Sequence, residues 1–74
     1  MYLKTNDEIS YVYKIYKYME DNTGKYAICF ILYGDEMKTF SFDNEKERDK
    51  LFNLIKSKQY KIIMEGDNYY ELLQ

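Results

Sequence analysis

Ile9-Ser10-Tyr11-Val12-Tyr13-Lys14-Ile15-Tyr16-Lys17-Tyr18-Met19, then Asp21-Asn22-Thr23-Gly24-Lys25, then Tyr26-Ala27-Ile28-Cys29-Phe30-Ile31-Leu32-Tyr33, is the stretch that decides the fold. The middle segment has hairpin-turn chemistry. Asp suits the first position of a type I turn, and Gly suits the left-handed position after it. The runs on either side are dense in Tyr, Ile, Val and Phe, which favour a pleated, half-buried surface. The first run also carries a rival pattern. Ile9, Val12, Tyr13, Tyr16 and Met19 follow helical spacing, and Thr5-Asn6-Asp7-Glu8 has the form of a capping box. Strand is the preferred reading of residues 9–19, because aromatic and β-branched density agrees with the turn. The helical reading gives a minority architecture, α-β-β-α-β-β.

Downstream, Gly34-Asp35-Glu36 reads as a second turn. It leads into a strand from Met37 to Phe42, with Phe40 and Phe42 on one face and Thr39 and Ser41 on the other. The clearest helix covers residues 44–58. Asp43 or Asn44 can cap it, and Asn44 with Glu47 has capping-box spacing. Glu45, Glu47 and Asp49 in the first turns and Lys56 and Lys58 at the end complement the helix dipole. Leu51, Phe52, Leu54 and Ile55 form its apolar stripe. Tyr60 to Glu65 and Tyr69 to Leu73 flank Gly66-Asp67-Asn68 as a last hairpin. The expected fold is α+β, a small antiparallel sheet in the order β-β-β-α-β-β. It has five strands, free to curl, with one helix packed on one face. Met1 to Lys4 can add a short strand.

Seventy-four residues make one domain, 1–74. A chain of this length buries about 60% of the surface its unfolded form exposes, so its core is thin. Cys29 is the single cysteine and there is no histidine, so neither a disulfide nor a Cys/His zinc site is available. A net charge of −2 argues against a protein held to duplex DNA by charge. The apolar run from Ala27 to Tyr33 is far shorter than the roughly 20 residues of a membrane helix. Met1-Tyr2-Leu3-Lys4 runs directly into polar Thr5-Asn6-Asp7-Glu8, so no signal peptide is expected. These readings point to a cytoplasmic protein without a membrane partner. Lysine outnumbers arginine ten to one. Arginine is the better interface cation, so physical preference does not explain that ratio. An AT-rich coding genome does, such as that of a low-GC bacterium, its phage or another mobile element, in which case the cytoplasm is the host's.

Without histidine, no Ser-His-Asp or Cys-His nucleophile system can form. Cys29 sits in the most apolar run and reads as a small buried hydrophobe. The carboxylates of Glu45, Glu47 and Asp49 spread around a helix axis and do not converge. No EF-hand pattern or Gly-rich phosphate loop is present. No catalytic residue, metal ligand, cofactor or small-molecule substrate is therefore expected.

What stands out is surplus apolar surface. The run from Tyr26 to Tyr33 is apolar on both faces: Tyr26, Ile28, Phe30 and Leu32 against Ala27, Cys29, Ile31 and Tyr33. Strand side chains alternate strictly, so its neighbour is two-sided as well, with Tyr11, Tyr13, Ile15 and Met19 against Val12, Tyr16 and Tyr18. One helix covers one face. Tyrosine tolerates waiting for a partner, since its ring is apolar and its hydroxyl stays wet. The expected function is non-enzymatic: a small regulator or inhibitor that occupies the surface of a partner protein. Tyr11, Tyr13, Lys14, Tyr16, Lys17 and Tyr18 are the candidate interface. Glu45, Glu47 and Asp49 are a candidate acidic face that could mimic nucleic-acid phosphates. Two alternatives stay open. One is single-stranded nucleic-acid binding through the Tyr/Lys strand. The other is a structural homodimer with no other partner.

Overall fold

The computed structural model describes residues 1–59 and 62–73. They form β1 (Tyr2–Lys4), β2 (Ile9–Met19), β3 (Tyr26–Leu32), β4 (Glu36–Phe42), α1 (Glu45–Lys56), β5 (Ile62–Glu65) and β6 (Asn68–Leu73). The strands make one antiparallel sheet in the order β4-β3-β2-β1-β6-β5. The expected β-β-β-α-β-β order is present, with β1 as the short additional strand. The expected beginning of the fifth strand at Tyr60 lies outside the described residues.

Residues 9–19 are a strand. Their helical spacing lost to pairing on both sides, with β1 and with β3. The presumed capping box is a turn instead. The Thr5 hydroxyl accepts hydrogen bonds from the Asp7 and Glu8 amides, and the Thr5 amide donates to the Glu8 carbonyl at 2.8 Å. Threonine thus reverses the chain between β1 and β2, the alternative use of the same side-chain chemistry. The Asp21–Lys25 turn forms as expected, with Gly24 at φ 68°. The Gly24 amide donates to the Glu20 carbonyl at 2.9 Å.

Helix α1 begins where the sequence places it. The Asn44 side chain accepts from the amides of Lys46 and Glu47, while Glu45 and Glu47 lie in the first turn. This cap satisfies two amides that have no partner inside the helix.

The sheet curls without closing. β4 and β5 are opposite edges, yet the Lys38 ammonium of β4 meets the Glu65 carboxylate of β5 at 2.7 Å. The Phe40 and Tyr70 rings stand 5.0 Å apart, edge to face. Inside the curl, Leu3, Val12, Ile28, Phe30, Leu32, Phe40, Ile63 and Leu72 pack with Ile55 of the helix. The helix and the last hairpin therefore cover the same, concave face, and no second layer lies on the convex face among the described residues.

Strict alternation fails in β2. Val12 pairs with Leu32 and Lys14 with Ile31, so Tyr13 is an extra residue, a β-bulge. Before the bulge, Val12 faces the concave core; after it, Ile15 does. The three-residue step from Val12 to Ile15 on the concave face comes from this insertion. The expected grouping of Tyr11, Tyr13, Ile15 and Met19 on one face is corrected accordingly.

A candidate interface on the convex face

The bulge gathers the candidate residues. With strict alternation, Tyr11, Tyr13 and Lys17 would lie opposite Lys14, Tyr16 and Tyr18. With Tyr13 inserted, Tyr11, Tyr13, Lys14, Tyr16 and Tyr18 share the convex side. Their cross-strand neighbours agree. Tyr16 stands opposite Cys29 and Tyr18 opposite Ala27, whereas Ile15 stands opposite core Phe30.

Lys17 is not part of this surface. It turns to the concave side, where its ammonium lies 3.2 Å from the Asp49 carboxylate and 5.4 Å from the Phe52 ring centre. Asp49 also accepts from the Arg48 guanidinium at 2.9 Å. Burial alone would raise the Asp49 carboxyl, but hydrogen bonds from Lys17 and Arg48 outweigh it and hold the group below its ordinary value. Asp49 is thus tied to the sheet, and the candidate acidic face shrinks to exposed Glu45 and Glu47. Arg48, absent from the sequence-based candidates, is buried. It donates to the Tyr18 carbonyl at 3.0 Å and lies 5.4 Å from the Tyr26 ring centre. It fastens α1 to the β2-β3 hairpin.

The convex face has two halves. In the first, Ala27 and Cys29 of β3 are almost fully buried although no layer covers them. They are small, and the larger Tyr16, Tyr18, Thr39 and Ser41 of the adjoining strands shield them. The neighbouring Cys29 thiol is the main cause that holds the Tyr16 hydroxyl above its ordinary value. The Tyr16 and Tyr18 rings are half-buried and lie 5.7 Å apart. Part of the surplus apolar surface is therefore resolved within the sheet itself.

The second half is open. Tyr2 meets Tyr11 edge to face at 5.4 Å, and Tyr11 meets Tyr13 in the same way at 5.4 Å. Tyr13 stacks on Tyr33 at 6.1 Å. The four rings form a continuous row that remains exposed, 44% for Tyr2 and Tyr11, 59% for Tyr13 and 70% for Tyr33. Register builds the row: Tyr2 pairs with Tyr11, and the Tyr33 amide donates to the Tyr11 carbonyl at 2.9 Å. Tyr2 and Tyr33 were not legible as members. Tyr33 ends an apolar run and Tyr2 lies in a three-residue strand, and only the pairing brings them beside Tyr11.

Among the described residues, no three Cys, Asp or Glu side chains are grouped to hold a metal ion, and no helix is long and apolar enough to cross a membrane. No known family, curated protein or solved structure matches the chain.

Proposed function

We propose that the chain is a non-enzymatic protein-binding module that docks on a different protein through the tyrosine row of its convex face. The carrying observation is the contiguity of Tyr2, Tyr11, Tyr13 and Tyr33 in the open. Mutual edge-to-face and stacked contacts hold the rings, so little side-chain entropy remains to be lost on docking. Tyrosine is enriched at interface centres and among residues that dominate binding energy. A permanent homodimer interface is more apolar, like a core cut in half. Here the hydroxyls keep the face wet, which suits a module that exists alone until it meets its partner. By occupying that partner's surface, such a module acts as a regulator or inhibitor. The codon-driven composition fits a mobile element.

The test is a variant with Tyr2, Tyr11, Tyr13 and Tyr33 all replaced by serine. It should fold, since the four rings are exposed, and should no longer co-purify the protein that the unaltered chain captures from its source cell. Capture by both chains alike would overturn the assignment. Light scattering near millimolar concentration separates the homodimer, which predicts a two-chain mass.

A second reading rests on Lys14, whose ammonium lies 5.6 Å from the Tyr16 ring centre on the same face. Aromatic rings beside cations suit single-stranded nucleic acid, by base stacking and phosphate contact. Filter binding at two salt concentrations decides it: retention at low salt that falls steeply with added salt supports it, and no retention removes it.

A further inference from the structure

An apolar opening leads into the concave core beside α1. Val12, Ile15, Phe52 and Ile55 line a pocket of about 410 Å³ between the middle of β2 and the last turns of α1. That size falls within the range of small-molecule sites, about 300–1,000 Å³. Met1, Tyr13, Lys14, Lys56 and Lys58 also line it, and no acidic residue does so among the described residues. Lys17, Lys25, Lys38 and Arg48 all sit in ion pairs, whereas none of the pocket's Lys14, Lys56 and Lys58 has one among the described residues. A chain of net charge −2 thus places three cations, none with an ion pair among the described residues, beside an apolar cavity.

Lys58 carries a second, independent sign. It follows the C-cap Ser57 and holds φ at 63°. Its amide donates to the Ile55 carbonyl at 3.0 Å, and the Gln59 amide donates to the Leu54 carbonyl at 2.9 Å. This is a Schellman ending, whose left-handed position is ordinarily glycine. A lysine there carries backbone strain, and its side chain has no short polar group to relieve it, unlike Asn or Asp. Strain held at the lip of a cavity is characteristic of a ligand site.

We infer that this pocket binds an amphipathic organic anion, a medium-length acyl chain ending in a carboxylate. The chain lies against Val12, Ile15, Phe52 and Ile55, and the head group lies on Lys56 and Lys58. Of the tyrosine row, Tyr13 also lines the pocket, whereas Tyr2, Tyr11 and Tyr33 do not.

Decanoate and decylammonium, each titrated below its micelle-forming concentration and followed by amide chemical shifts, test this. Decanoate should saturate, moving the amides of Val12, Ile15, Phe52 and Ile55, and decylammonium should bind at least tenfold more weakly. Lys56→Glu with Lys58→Glu should weaken decanoate at least tenfold. Lys58→Gly should raise the thermal midpoint while weakening decanoate, because it relieves strain and removes a cation together. Equal binding of the two amphiphiles, shifts centred elsewhere, or no saturable decanoate binding would each overturn the assignment. A Tyr2→Ser, Tyr11→Ser, Tyr33→Ser variant should bind decanoate unchanged, which keeps the outcome separate from that of the protein interface.

Discussion

On the concave face of the sheet, Ile28, Phe30, Leu32 and Phe40 pack against Ile55 of the helix and Ile63 and Leu72 of the last hairpin, and water is excluded. On the convex face, Ala27 and Cys29 of the same strand are shielded only by side chains beside them, and Tyr2, Tyr11, Tyr13 and Tyr33 stay in solvent. The concave face uses branched aliphatic and phenyl groups, which gain only from leaving water. The convex face uses small residues where it must seal itself and tyrosine where it stays open. A thin domain can therefore carry apolar area on two faces with one covering layer.

The largest expected effect sharpens that contrast. Phe30→Ala removes a fully buried ring and should cost about 3–5 kcal/mol in denaturant unfolding. Tyr33→Ala, at an exposed ring, should cost no more than about 0.5 kcal/mol. Comparable losses at the two positions would mean that the convex face is part of the core after all.

Next is Arg48→Ala, which should cost about 2 kcal/mol by calorimetry or urea titration, since a charged hydrogen bond to the Tyr18 carbonyl and packing on Tyr26 are lost together. A neutral result would show that the helix holds the concave face without this fastening.

Deleting Tyr13 is the finer probe. It restores regular pairing, with Val12 still opposite Leu32 and Lys14 still opposite Ile31, so every other side chain keeps its face. Stability should change by about 1 kcal/mol. Partner capture should fall, because the link from Tyr11 to Tyr33 is gone. Unfolding on deletion would mean that the bulge is needed for the curl itself.

The smallest effect concerns pH. The Asp49 carboxyl is depressed in the folded chain, so its stabilising contribution is present above the ordinary aspartate range and is lost as pH falls through the lower, folded value. Thermal midpoints of the unaltered chain and Asp49→Asn should differ at pH 7 and converge below about pH 4. A gap that persists in acid would remove the Lys17-Asp49-Arg48 arrangement as its cause.

Much of the candidate site was readable in outline. The density of tyrosine and lysine in residues 9–19 marks β2, the strand that carries two of the four rings of the exposed row. Lys17 was grouped wrongly and Tyr2 and Tyr33 were missed for one reason: membership of a face depends on which residue of the partner strand lies opposite. Asp49 read as part of a solvated acidic face because the cations that hold it are remote in sequence, at Lys17, or lie beside it on a side chain, Arg48, that turns inward. The pocket was not legible at all, since it needs the end of α1 to lie against the middle of β2.

By itself the sequence determined the order of elements, the Asp21–Lys25 turn, the Asn44 cap and the α+β class, because turns, caps and propensities are settled by neighbours a few residues apart. The tertiary structure decided which side chains share a face, how far the sheet curls, and where apolar surface stays open. Which residues of β2 share a face follows from one inserted residue, Tyr13, measured against a strand that begins thirteen positions later, at Tyr26. An insertion has meaning only relative to the strand it pairs with.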